Sequence, residues 1–381
     1  MKVLYFGTYE SDWSRNRVII EGLRQNGVVV DECHVAVWEK LADKPARFSA
    51  PLRFVPVLFS LALAHVRLLG RLVLRVRRYD AVMVGNLGQI DMVMAAPFCR
   101  LLRRPLVFNP NVSLTDSVVE DRGLVRSGSM VARLLLWLDR ASIAAADLVL
   151  LDTDEYIAYF REHFGTPERK LARVFVGAEA YAAVDAPKLR PGADDDFRVL
   201  FVGKFTPLHG LEHIVRAASL LLKDPGVSFT IVGRGQVSSQ VHALAESLKT
   251  SNVTFIDWMT VPELRDRYLA SDVILGVFST SRKASLVVPN KVYHGLAVGK
   301  PVITGDTPAA REVLTHGKSA YLCRVGDPDA IVQAITDLKA DGEMRLRIAS
   351  GGLSLHKEAL TPAAIGREAA WHLERLLGRP R

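Results

Sequence analysis

Along most of this chain, short apolar runs that stop at glycine alternate with longer stretches whose apolar residues return near every 3.6 positions. The first pattern predicts buried strands and the second predicts amphipathic helices. Lys2–Phe6 is the first strand, closed by Gly7. A helix over Arg15–Gln25 ends at Asn26-Gly27, a pair suited to a helix C-terminus. Further strands are expected at Val28–Val35, Asp80–Val84, Leu106–Phe108 and Leu148–Leu151, the last after a long helix spanning Ser129–Ala146. The second half repeats the rhythm, with strands at Val199–Val202, Val227–Val232, Val253–Ile256, Val273–Val277 and Val302–Thr304 and a last helix from Glu358 to Leu377. Strand and helix in alternation predict an α/β fold of doubly wound, Rossmann-like parallel sheets.

The rhythm breaks at the acidic stretch Ala193–Phe197, which Pro187, Pro191 and Gly192 precede. Such residues mark a linker. The expected division is therefore 1–190, 191–356, and a terminal helix over 357–381. A chain of 381 residues is long enough for two such domains.

One stretch departs from the pattern. In Arg53–Arg78 the uncharged part, Phe54–Ala64, falls short of the roughly 20 residues a bilayer span needs. Arg67, Arg71, Arg75 and Arg78 then recur at helical spacing and share one face, with Leu68, Leu69, Leu72 and Val76 elsewhere on the helix. A basic amphipathic helix of this kind suits an anionic membrane surface; the alternative is an ordinary Rossmann helix with an arginine-rich solvated face. The net charge of +8 also favours anionic partners. Nucleic acid is excluded, because no basic stripe is interleaved with aromatics. Cys33, Cys99 and Cys323 are scattered without metal spacing and read as reduced thiols of a cytoplasmic protein. The N-terminus runs straight into a strand, so no signal peptide is expected.

The chemistry concentrates in the second half. In RVLFVGKFTPLHGLEHIVRAASLLL, Arg198–Leu222, a strand ends at Gly203 and a loop carries Lys204 and His209 to a helix. Ligands of open α/β sheets sit at the carboxyl ends of strands, and two basic groups there suit a diphosphate. Further on, Pro289-Asn290-Lys291 opens a helix whose first amides can bind phosphate. Gly233-Arg234-Gly235 follows another strand; the glycines permit close backbone approach, and Arg234 reaches either phosphate or solvent. In the first half, Arg15 and Asn16 either cap a helix or contact an acceptor or phosphate. Asp116 and Glu120 lie four apart in a polar loop; one of them orients or deprotonates an acceptor hydroxyl, or both pair with Arg122 and Arg126. Asp152-Thr153-Asp154 is a D-x-D that either holds a metal or caps a helix, and the cap is preferred.

VGKFTPLHGLEHIVRAAS followed by HGLAVGKPVITGD resembles the family 4 glycosyltransferases, retaining enzymes of the GT-B fold. The resemblance runs through nearly the whole chain and is strongest over Arg198–Gly317. It implies two Rossmann-like domains facing an interdomain cleft, with the C-terminal helix crossing back to the first domain. It implies a nucleotide-sugar donor, held by Gly7, Gly203, Lys204, His209 and the helix at Pro289 and Asn290, with Trp258 and Met259 beside the base. Lys204 and His209 would stabilise the leaving diphosphate, with no metal and no other cofactor. The sequence departs from the family pattern in three places. His209 replaces a lysine, and Leu286 and His294 stand where the pattern has two glutamates. His294 can still make a hydrogen bond to the nucleotide, and Lys283 and Lys291 are candidates to compensate. Asn109 stands where the family often places a histidine near the reacting sugar.

The resulting expectation is a retaining hexosyltransferase-type enzyme, peripheral at the inner face of the cell membrane, acting on a glycan or lipid-linked acceptor. Two alternatives remain: a catalytically silent nucleotide-sugar-binding partner protein of the same fold, and a sugar-nucleotide epimerase.

Overall fold

The computed structural model describes residues 1–38, 51–179, 183–187, 189–190 and 195–379, with side chains of the 51–58 stretch given only at 56 and 57. The chain forms two units. One comprises Met1–Val176 with Pro362–Arg381, and the other Gly177–Thr361.

The first unit is built on a six-stranded parallel sheet in the order β2-β1-β3-β4-β5-β6. Its strands are β1 (Lys2–Gly7), β2 (Val29–His34), β3 (Ala81–Val84), β4 (Leu106–Phe108), β5 (Leu148–Leu151) and β6 (Leu171–Arg173). β3, β4 and β5 are buried at every position, which is why they read as unbroken apolar runs. The helices are α1 (Ser14–Gln25), α2 (Pro51–Arg75), α3 (Gln89–Leu101), α4 (Met130–Ala145) and α5 (Asp154–Phe164). Ser129 caps α4 by accepting from the Ala132 amide, and Thr153 caps α5 by accepting from Tyr156. The D-x-D therefore lies at a helix start, with Asp154 paired to Arg173 at 2.8 Å.

On α2, Leu68 and Leu72 are fully buried, while Arg67, Arg71 and Arg75 are exposed. The helix ends at Arg75 and passes into a tighter turn over Val76–Arg78, where Arg78 is also exposed. No helix among the described residues is long and apolar enough to cross a membrane.

The last helix, α14 (Pro362–Leu376), belongs to the first unit and packs on α1. It starts later than periodicity suggests, because Pro362 begins a new helix after a turn at His356–Leu360. Gly22 and Gly366 let the two backbones touch. A Cβ on Gly22 would lie 2.0 Å from the Pro362 carbonyl oxygen, and one on Gly366 1.9 Å from the Gly22 carbonyl carbon. Ile365, Ala369, Ala370 and Leu373 then join the core formed by Val18, Ile19 and Leu23.

The second unit carries another six-stranded parallel sheet, ordered β12-β11-β10-β7-β8-β9. Its strands are β7 (Phe197–Val202), β8 (Val227–Val232), β9 (Val253–Ile256), β10 (Val273–Leu275), β11 (Val302–Gly305) and β12 (Tyr321–Cys323). The helices are α6 (Leu211–Leu220), α7 (Ser238–Ser247), α8 (Val261–Leu269), α9 (Arg282–Leu286), α10 (Asn290–Ala297), α11 (Pro308–Val313), α12 (Pro328–Ala340) and α13 (Gly342–Leu355). The units part at Val176/Gly177, ahead of the expected boundary at 190/191, where residue 191 lies outside the described residues. The reason is local bonding. Ala178 donates to the Leu360 carbonyl, Val184 to that of Ala297, and Arg190 pairs with the buried Asp272 at 2.8 Å. Those bonds tie the stretch before the linker to the second unit. The second division falls at Thr361/Pro362, where α14 begins.

Replacing Gly366 by valine forces α14 away from α1. Overpacking of this kind costs about 1–3 kcal/mol. Urea unfolding followed by circular dichroism should give a lower midpoint for Gly366→Val; an unchanged midpoint would mean the helix contact contributes nothing.

Candidate functional site

The best-formed site lies in the second unit, at the carboxyl ends of β7 and β8. Gly203 follows β7, and a short turn over Pro207–His209 leads into α6 through Gly210. Gly210 has a left-handed backbone, φ 64°, and a Cβ there would lie 2.5 Å from the Ser279 nitrogen. Only glycine fits. The next loop closes in the same way: Gly233 has φ 137°, and its Cβ would sit 1.9 Å from the Gly203 carbonyl oxygen. Gly203 donates to Val232 and Phe205 to Arg234, so the two loops are stitched edge to edge.

Around Gly203 gather the basic groups. Lys204 is exposed. His209 is buried, its ring edge-on to Phe201. Its Nδ1 donates to the Lys204 carbonyl at 2.5 Å. A Cβ on Gly203 would lie 2.8 Å from Lys291 Nζ and 3.4 Å from His209 Cε1. Lys291 is 5% exposed, lies over the Phe201 ring at 4.1 Å, and has no hydrogen-bond partner among the described residues. Burial holds its ammonium well below the usual lysine range. The ring face returns up to about 2 kcal/mol to the cation, against several kcal/mol for desolvating an unpaired ion, so the neutral amine wins. Lys291 stands in the first turn of α10, whose N-terminus at Pro289 has no side-chain cap. Loop and helix thus converge on one spot rich in donors, which suits an anion.

The remaining second-unit candidates fall around this centre. Arg234 is exposed. Trp258 is 69% exposed at the end of β9, with Met259 half-buried beside it. Lys283 on α9 and Pro289 and Asn290 at the start of α10 are buried or half-buried. His294 Nε2 meets Glu179 Oε2 at 2.7 Å. Glu179 is buried and escaped the sequence reading. It lies far from His294 along the chain, and no periodicity or motif signals such a partner. The carboxylate missing from the helix position is thus present beside it, carried by another segment. Leu286 is buried and apolar.

The first unit is different. Its expected acceptor residues form a closed network. Arg15 is fully buried; its guanidinium donates to Asn109 Oδ1 at 2.8 Å and to the carbonyls of Val174 and Leu150 at 2.9 and 3.1 Å. Asn16 accepts from Tyr5 and from the Asn86 amide and donates to the Glu10 carbonyl, while Asn109 donates to Tyr5. Arg15, Asn16 and Asn109 therefore fasten strand ends together. The Gly7 turn is also occupied. The Thr8 amide donates to Asp91 Oδ2 at 2.8 Å, and a Cβ on Gly7 would lie 2.4 Å from that oxygen. A carboxylate of the protein itself thus accepts the amide that follows Gly7. Asp91 also meets His65 Nε2 at 2.8 Å.

Asp116 is buried and accepts from Tyr156 at 2.9 Å, whereas Glu120 is exposed. Both lie on the π-helical turn Thr115–Asp121, Asp116 enclosed by the fold and Glu120 open to solvent. Asp139, also unforeseen, holds this loop by accepting from the Leu114 and Thr115 amides and the Ser113 hydroxyl. No group of three metal-ligating side chains occurs among the described residues.

Lys291 sets a pH-dependent stability. In the unfolded chain it titrates near 10.4, and in the folded chain lower. Between the two values the unfolded state holds the extra proton, so stability rises with pH up to the unfolded value. Lys291→Met should therefore melt higher than wild type near pH 7, with the two curves converging toward pH 10. Parallel curves would mean the amine is not strained by burial.

Residues 188–353 match the model of the glycosyl transferases group 1. The chain is 28% identical over 195 residues to the lipopolysaccharide core biosynthesis glycosyltransferase LpsE of Rhizobium meliloti, covering 50% of this chain and 54% of that one. It is 29% identical over 215 residues to the D-inositol 3-phosphate glycosyltransferase of Kribbella flavida, covering 52% and 50%. The chain spans about half the length of these curated relatives. Among solved structures, Anabaena Alr3699/HepE in complex with UDP and glucose superposes with a TM-score of 0.70 at 17% identity, covering 98% of this chain and 100% of that one. WaaG, a glycosyltransferase involved in lipopolysaccharide biosynthesis, gives 0.65 at 15%, covering 99% and 100%. The chain has the two-domain α/β fold of the GT-B glycosyltransferases, and its second half is similar to the glycosyl transferases group 1.

Proposed function

We propose that this protein is a glycosyltransferase that moves a sugar from a nucleotide-sugar to an acceptor hydroxyl, with retention of configuration and without a metal. The observation that carries the reading is the meeting of His209, Lys291 and the uncapped start of α10 around Gly203. Those groups, with Lys204, would hold the donor's diphosphate and stabilise the charge that develops as it leaves, the task a metal performs elsewhere. A uridine nucleotide is the first candidate, since the superposed HepE structure contains UDP. Trp258, exposed at the end of β9, would stack on the base.

The acceptor we propose is a lipid-linked or cell-envelope glycan at the inner membrane face, in keeping with the names of LpsE and WaaG. Three helices of the first unit support membrane contact. α3 packs against both α2 and α4. The described side chains of these helices include only two acids, Asp91 and Asp139, both buried, while Arg67, Arg71, Arg75, Arg133 and Arg140 are exposed. Phe59, Val66, Leu74, Met130 and Trp137 are exposed among them. An acid-free surface of arginine and apolar side chains fits anionic lipid, at about 1 kcal/mol per basic residue near the surface.

The silent-partner reading draws on Leu286, whose buried apolar side chain offers the donor sugar no polar contact. Binding and turnover separate the two readings. In a thermal-shift panel of UDP-, GDP-, ADP- and dTDP-sugars with EDTA present, one nucleotide should stabilise wild type and not Lys204→Ala. At a hundredfold excess over the dissociation constant the gain is about 2.7 kcal/mol. Stabilisation without sugar transfer to any lipid extract would favour the silent binder, and stabilisation only with added metal would overturn metal independence. For the membrane contact, vesicles containing phosphatidylglycerol should float the protein, vesicles of phosphatidylcholine alone should not, and an Arg67/Arg71/Arg75→Gln variant should stay behind in both.

A further inference from the structure

The enclosed amine of Lys291 is the most unusual group in the second unit. It lies over Phe201, beside the bare Cα of Gly203, in the first turn of an uncapped helix, and it lacks a hydrogen-bond partner among the described residues. The Gly203 backbone, which carries no Cβ, lies against this amine. A Cβ there would lie 2.8 Å from Nζ and 3.4 Å from His209 Cε1, so amine, imidazole and bare Cα adjoin one another.

We propose that Lys291 is a diphosphate ligand which enters the binding site as a neutral amine and gains its charge only when the donor arrives, so that donor binding takes up one proton from bulk solvent. The proposal rests on the donor reading above. Burial disfavours the ammonium in the free protein. A phosphate oxygen at Gly203 supplies the missing acceptor and the opposite charge together, and both favour protonation. Each bound diphosphate then matches one proton moved from buffer to Nζ. Lys204 is exposed and outside this enclosure. Lys291 adds selectivity, because a ligand without phosphate cannot charge it. It also responds to the reaction: the free nucleoside diphosphate left after sugar transfer carries more negative charge than the donor did, so the ammonium is held most firmly as that charge develops.

Other titratable groups adjoin this place and could contribute protons. They are His209 across Gly203, Lys204 on the same loop, His294 with Glu179 further along α10, Lys283 on α9, and His356 on the turn packed behind α10. A measurement near pH 8.5 reduces the imidazole share, since free imidazoles titrate near 6.5.

The test uses the full chain with 13C-labelled lysine. The Cε resonance missing from Lys291→Met identifies the residue, with Lys291→Arg as a second assignment variant. At pH 8.5 it should stand at the neutral-amine position in the free protein and move to the ammonium position on adding UDP. Calorimetry with UDP in Tris and in HEPES, buffers of different ionisation enthalpy, should give close to one proton taken up per UDP. The uptake should vanish in Lys291→Met and in Lys291→Arg, and persist in His209→Gln. Lys291→Met should also bind UDP about tenfold to a hundredfold more weakly. An ammonium signal in the free protein, or equal uptake in Lys291→Met, overturns the proposal. If none of UDP, GDP, ADP and dTDP gives binding heat, the donor reading itself falls and the proposal falls with it.

Discussion

Two backbones meet in the second unit at a separation that leaves no room for a side chain. The Gly203 carbonyl and the Gly233 Cα are so close that the strand β8 must be followed by glycine. The site depends on this contact. It turns the loop after β7 so that His209 folds back on Lys204 and Lys291 faces a bare Cα. A side chain at Gly233 would separate the loops, and one at Gly203 would displace the Lys291 amine.

The strands were readable because parallel strands in a covered sheet are apolar on both faces. β3, β4, β5 and β10 are buried throughout, and each appeared in the sequence as an unbroken apolar run. The glycine-bounded loops of the second unit were readable for a related reason. A tight strand-to-helix turn requires a residue type that sequence displays directly. Depth is not displayed in that way. Arg15 and Asn16 follow a strand and carry polar groups, as surface residues would, yet both are enclosed. The bonds that enclose them reach to Asn109, Leu150 and Val174, partners that no local pattern connects.

The same limit explains Glu179 and Asp91. Glu179 meets His294 from a distant segment, and the helix position alone indicated only a lost carboxylate. Asp91 reaches from α3 to the Thr8 amide, so a turn that reads as an anion site already holds an anion of the protein. In both units the local geometry was legible, and what occupies that geometry was decided by residues far away along the chain.

The first unit is discontinuous: α14, which completes its packing on α1, follows every residue of the second unit. During synthesis the ribosome must finish the second unit before α14 exists. The apolar stripe of α1 along Val18, Ile19 and Leu23 therefore waits uncovered while about half the chain is made. In the cell, the first part translated is the last to be finished.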